Sequence, residues 1–356
     1  RVGGGGPSIH AAMRPATAPA RGTPAAQGST AKTVRSFDGI NHFAQRSANG
    51  GNQFSLEPPD QGLCASSHFV FESVNAAVRT FDPSGKALTG TITLNQFYGY
   101  APNIDRTTGT FGPFPFDPTC YFDVQTGRFF QLVNTLAADP ATGANSGVNE
   151  LALAVSQTGD PTGAWFIYHL PVQDDGTAGT PDHHRSGAAD GTGHGPCFGD
   201  YPHLGADGNA LVMTTNEYSF FGPEFKGAQV YAVSKWALAS GAASPSVFQF
   251  DTRSAGPNHE PGFTLWPATS PAGDSSREAG GTEYLLSSNA ADEAHGDGTA
   301  PGPRQSRQLL VWALTNTSAL DARGIPGLSH TVVPVRRYGT PPPSDQKAGD
   351  QPLREC

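Results

Sequence analysis

The chain has 356 residues, of which only 15% are charged, and its Gly (44) and Pro (31) together exceed a fifth of the total. That balance excludes a helical protein and points to a turn-rich all-β fold. The net charge of −9 argues against nucleic acid as a partner, and no apolar run approaches the 18 residues of a membrane-spanning helix.

In chain order, residues 1–35 come first. They are Gly, Ala, Pro, Thr and Arg, with almost nothing to bury, a low-complexity arm that would order only against its own domain or a neighbour. The absence of an initial Met and of a leader fits a processed product. Residues 36–337 then carry a degenerate repeat. Four strands end on an Asn: Phe71–Asn75, Phe130–Asn134, Val212–Asn216 and Leu285–Asn289. After each comes a loop of variable length and a second strand: Ala77–Phe81, Leu151–Val155, Val230–Ser234 and Leu310–Leu314. A unit of strands recurring in this way is a blade, and blades stack radially.

Four blades are readable. The first uses Gln61–Ser66, Phe69–Asn75, Ala77–Phe81 and Leu88–Phe97, with Asp82-Pro-Ser-Gly as its turn. The second uses Cys120–Val124, Arg128–Asn134, Glu150–Ser156 and Ala164–Leu170, and the third His203–Ala206, Ala210–Tyr218, Ala228–Ser234 and Ser246–Asp251. The fourth uses Phe263–Ala268, Glu283–Asn289, Gln308–Thr315 and His330–Arg336. Val233–Ser240 also suits a short helical turn. Residues 338–356, with three successive prolines, read as an inter-blade loop or tail. The expected fold is all-β: a β-propeller of four-stranded antiparallel blades, either closed at four or the N-terminal part of a six- or seven-bladed ring.

Cys64, Cys120, Cys197 and Cys356 are even in number and form no CxxC pair. This suggests an exported protein with up to two disulfides; four cytosolic thiols are the alternative.

Thr158, Asp160, Gly163 and Trp165 resemble the Asp-box turn of sialidase-type propellers, with the Gly one place late. The strings Leu153-Ala-Val-Ser-Gln-Thr-Gly-Asp, Gly199-Asp-Tyr-Pro-His-Leu-Gly-Ala-Asp-Gly and Thr214-Thr-Asn-Glu-Tyr resemble a family of secreted bacterial β-propeller proteins. The likeness runs from about Phe37 to the C-terminus. It implies fold and export, and it brings no catalytic residues. Members of that family carry further blades past the position of Cys356.

In a propeller, the loops from strand two to three and from strand four to the next blade share one face. Three groups of residues map there. Asp60, Asp117 and Asp200 open successive inner strands, 15, 17 and 16 residues before a repeat Asn. Converging carboxylates suit a hard cation such as Ca²⁺; alternatively, each caps its turn. The stretch Val172–Gly195 holds Asp174, Asp175, Asp182, His183, His184, Asp190 and His194. This is a mixed set for Zn²⁺, although adjacent histidines do not aim two rings at one ion, and a solvated loop is the other reading. Glu217-Tyr218, with Glu283-Tyr284, Tyr201 and His203, supplies acids, bases and nucleophiles for a glycosidase or lyase.

The repeat Asn residues read as strand-end caps or as a ring of amides around the channel, and Trp165, Trp236, Trp266 and Trp312 as packing between blades. Phe111–Phe116 reads as a contact patch in a loop. No Walker loop, GxSxG elbow or HExxH is present. Two functions follow. The first is an extracellular binding or assembly module, a surface, matrix or filament component. Its partner would be another copy or a second polypeptide completing the ring. The second is a carbohydrate-active enzyme, hydrolase or lyase, with Glu217, Tyr218, Tyr201 and His203 at a top-face site and a polysaccharide as substrate.

Overall fold

In a computed structural model of the chain, four antiparallel meanders follow one another, each four strands long and each in simple sequential order. The structure describes residues 35–341, apart from 57–59, 184–194, 257–259, 272, 297, 301 and 323. Most of the low-complexity arm, His184, Asp190, His194 and Cys356 therefore lie outside the described residues.

Blade one is β1 (Gln61–Ala65), β2 (Val70–Val74), β3 (Ala77–Phe81) and β4 (Ile92–Thr93). A hairpin, β5 (Ile104–Asp105) and β6 (Thr110–Phe111), leads to blade two. Blade two is β7 (Phe114–Asp123), β8 (Arg128–Ala138), β9 (Asn145–Ser156) and β10 (Trp165–Pro171). Blade three is β11 (Cys197–Ala206), β12 (Ala210–Ser219), β13 (Phe225–Ser234) and β14 (Val247–Asp251). Blade four is β15 (Phe263–Pro267), β16 (Thr282–Ser288), β17 (Gln305–Thr315) and β18 (Gly327–Gly339).

Alternation along the strands sends successive side chains to opposite sheet faces, so the central strands feed two cores at once. Phe129 and Val133 of β8 pack towards Phe71 and Val78 of blade one, whereas Phe130 and Leu132 pack towards Leu211, Met213 and Tyr231 of blade three. Val212, Val230 and Ala232 of blade three meet Leu285, Leu310 and Trp312 of blade four. Each core thus fills the space between two successive sheets, and the first strands β1, β7, β11 and β15 lie beside one another in chain order. This is the radial packing of a β-propeller. Cys64 of β1 and Cys120 of β7 form a disulfide between the first two inner strands, with Cα atoms 5.5 Å apart.

The Thr158–Trp165 turn joins β9 to β10. Asp160 Oδ1 accepts from the Thr162 amide (2.9 Å) and hydroxyl (2.7 Å), and the Trp165 ring lies 5.2 Å from Phe71 and 5.1 Å from Phe97. Its role is to plug the space between blades one and two. Between blades two and three, Lys235 is fully buried. Its Nζ donates to Asp123 Oδ1 (3.1 Å) and to the Asp207 carbonyl (2.5 Å), which ties blade two to blade three.

Several expectations are corrected. Leu94–Tyr98 is a helix and not strand, because Thr93 and Gln96 form a capping box that starts it. The helical reading of Val233–Ser240 is met by a short helix, Lys235–Ala239, capped by Ser234. Phe114 and Phe116 belong to β7 and stack on each other at 5.2 Å, so they are not part of a loop patch. Strand β18 runs two residues past Arg337. Trp165 and Trp312 serve the cores, but Trp236 and Trp266 are exposed.

Candidate active site

Three inner strands share a distortion that shapes the mouth of the propeller. β7, β11 and β15 each contain a bulge, between Phe116 and Thr119, Asp200 and His203, and Phe263 and Trp266. In each bulge a non-glycine residue takes positive φ: Asp117 (49°), Tyr201 (52°) and Thr264 (51°). Such backbone persists only where neighbours hold it. For two of the bulges a repeat Asn of the preceding blade does so. Asn75 Oδ1 accepts from the Asp117 amide at 2.7 Å, and Asn216 Oδ1 accepts from the Thr264 amide at 2.8 Å. The second amide arm donates to Asp60 Oδ2 (3.1 Å) in one case and to Thr264 Oγ1 (2.8 Å) in the other. Asn134 donates to the Gly199 carbonyl of the next inner strand. The repeat asparagines are therefore blade-to-blade clamps. Asn289 lies one place beyond the end of β16 and bonds elsewhere, its amide donating to the Tyr338 hydroxyl.

This scaffold brings Asp60, Asp117 and Asp200 together. Asp60 and Asp200 both sit opposite a clamp Asn, while Asp117 is one residue further on, in the bulge. Asp117 is half-buried and hydrogen-bonds both other carboxyls. Burial, the bond to Asp60, and the charges of Asp200 and Asp60 push its carboxyl up to about 8, against the Tyr201 amide, which stabilises the ionised form. At neutral pH it therefore keeps its proton. Asp200 is raised as well, by burial first and then by Asp60, although the Tyr201 amide and Asp117 pull it back.

Aromatic side chains run from this cluster to blade four. The Tyr201 phenol is raised by burial and by the charges of Asp60 and Asp117. Its ring lies 4.4 Å from His203, and His203 lies 4.0 Å from Trp266. His203 is buried, and burial pushes its imidazole down to about 4, so it is neutral and serves as a spacer. Tyr201 and Trp266 are 44% and 57% exposed, so both rings are open to a ligand.

Glu217 and Tyr218 do not join this group as a pair. They are successive residues of β12 and point to opposite sheet faces. Tyr218 packs on Phe225, ring centroids 5.2 Å apart. Glu217 is buried against the segment that follows β10. Its Oε2 lies 2.9 Å from His183 Nδ1, and Asp174 Oδ2 lies 3.4 Å from the same nitrogen. Burial lowers the His183 imidazole, but the bond to Glu217 and the charges of Glu217 and Asp174 outweigh it and bring the group to about 9. Burial, followed by the Glu217 charge, raises Asp174 to about 7. The Cys197 thiol hydrogen-bonds Glu217 and is held fully protonated. Among the described residues, Asp174, His183 and Glu217 are a group of three whose ligand atoms lie within 4.8 Å of one another. Glu283 is elsewhere again, fully buried, raised to about 9 by burial and then by Asp207. Sequence reasoning missed Trp266 as part of the mouth and the cross-blade partners of Asn75 and Asn216. It also missed the pairing of His183 with Glu217, two residues 34 apart in sequence.

No family model matches the chain, and no curated protein sequence does. Among solved structures, it is similar to a GH43 β-1,3-galactosidase with galactodeoxynojirimycin (10% identity, 77% of this chain and 75% of the other, TM-score 0.36). It is similar also to a GH43 endo-arabinanase from Bacillus licheniformis (11%, 79% and 96%, 0.32) and to an inulosucrase from Halalkalicoccus jeotgali bound to kestose (13%, 74% and 70%, 0.32). At these scores the likenesses carry no inference about chemistry, and the reading of the site rests on its own geometry.

Proposed function

We propose that the chain is an exported glycoside hydrolase acting on a neutral saccharide at the propeller mouth. The observation that carries this reading is the convergence of Asp60, Asp117 and Asp200 from three adjacent inner strands, where burial and the neighbouring carboxyls push Asp117 up to about 8. Hydrolysis of a glycosidic bond needs an acid that still holds its proton at working pH beside an ionised carboxylate. In this reading Asp117 protonates the departing oxygen. Asp60, the most exposed of the three, acts on the anomeric carbon or its attacking water once substrate has replaced its hydrogen bond to Asp117, because hydrolysis works with the two carboxyls about 5 Å or more apart. Asp200 holds the proton of Asp117 in place. Tyr201 and Trp266 offer exposed ring faces for a sugar to stack on. A mouth lined by carboxylates, on a chain of net charge −9, repels uronates and other anionic glycans, which is why a neutral substrate is proposed. The Cys64–Cys120 disulfide supports an oxidising compartment.

This reading is preferred to the binding or assembly module because a binding surface has no need of a shared proton among three inner strands. The test is release of reducing ends from a panel of neutral and anionic polysaccharides. Wild-type protein is expected to cleave a neutral member. Asp117→Asn should lower kcat/KM by about 100-fold or more, the usual worth of a general acid. Trp266→Ala should raise KM with little change in kcat. Absence of cleavage on the whole panel, or an Asp117→Asn variant with the wild-type rate, overturns the proposal.

A further inference from the structure

We propose that Asp174, His183 and Glu217 form a binding site for a divalent transition metal of the zinc class. The site lies at the junction of blades two and three and is separate from the carboxyl cluster of the mouth. Glu217 comes from β12, while Asp174 and His183 come from the segment after β10. The ligand atoms already have the spacing of a coordination sphere: Oε2 of Glu217 and Oδ2 of Asp174 lie 2.9 and 3.4 Å from His183 Nδ1. Ligands about 2.0–2.1 Å from a tetrahedral ion stand roughly 3.3 Å apart.

A second observation points to a missing ligand. Asp174 has no exposed surface, yet its Oδ1 has no hydrogen-bond partner. An unsatisfied carboxylate oxygen in a buried setting is costly, and a cation held by both oxygens of Asp174, with Oδ2 already facing His183, would satisfy it.

The donor set selects the ion. One imidazole nitrogen with two carboxylates suits zinc and its neighbours, whereas Ca²⁺ calls for six to eight oxygens. Charge fits as well. A dication with neutral His183 cancels both buried carboxylates, which an imidazolium proton alone does not. The surroundings orient the ligands: Gln249 Nε2 donates to Asp174 Oδ2 at 2.6 Å, and the Cys197 thiol hydrogen-bonds Glu217 and places a soft donor beside the site. The bound ion would fasten the segment that follows β10 onto blade three.

The competing account is a plain ion pair, with His183 protonated between the two carboxylates. Full-length protein, stripped with chelator, would be titrated with zinc chloride by calorimetry at pH 7.5, and with cobalt chloride followed by visible absorption. The expected result is one equivalent bound, a rise in Tm and tetrahedral cobalt bands. His183→Gln and Glu217→Gln, each checked for fold by circular dichroism, should weaken binding at least tenfold. Three outcomes overturn the proposal: no zinc binding by wild-type protein, undiminished binding by both variants, or binding of calcium chloride in preference to zinc. The readouts are independent of saccharide cleavage, so this proposal and the proposed function stand or fall separately.

Discussion

At the scale of single residues, the shared proton of Asp117 has a thermodynamic signature. Its folded-state carboxyl is raised to about 8 from an ordinary 3.8. The native chain therefore keeps a proton that the unfolded chain gives up near pH 4. Stability falls with rising pH wherever the native state binds the extra proton. The contribution of this group is thus fully present below about pH 4 and is lost progressively up to about pH 8. Asp117→Asn removes that dependence. Between pH 5 and 8 the Tm of the variant should decline less than that of the wild type, and parallel curves would count against the assignment. Asp117 was legible as a site residue from its place before the repeat Asn. Its position in a bulge was not. A reader of sequence looks for glycine where φ is positive, and the three bulges carry Asp117, Tyr201 and Thr264 instead.

At the scale of elements, the sixteen blade strands were largely readable, because Asx, Gly and Pro turns separate short apolar runs. Two places resisted. Leu94–Tyr98 has the aromatic composition of a strand, and its capping box decides for helix. The repeat Asn was visible as a strand-end residue, but its partner is on another blade, and local sequence carries no signal for a contact of that range. Asn216 lies 48 residues from Thr264, to which it makes two hydrogen bonds. Asn216→Ala leaves the part-buried Thr264 amide without this partner and should cost about 1 kcal/mol, read as a lower midpoint in urea at unchanged slope. An unchanged midpoint would show that the clamp is not needed to hold the bulge. The segment from Asp174 to His183 was read with attention on the neighbouring histidines. The decisive partner, Glu217, is on the second strand after that segment.

At the scale of the whole molecule, radial packing explains how residues 60, 117 and 200 meet at all. Each is the product of a different blade, and only the side-by-side order of β1, β7 and β11 gathers them. The disulfide between β1 and β7 fixes two of the three contributing strands to each other. The most direct measurement is a carboxyl titration by ¹³C NMR on protein labelled at aspartate, compared with Asp117→Asn. One resonance should remain protonated to about pH 8 and vanish in the variant. If every aspartate has ionised by about pH 5, as unperturbed side chains do, the mouth holds no shared proton and the proposed acid is not there.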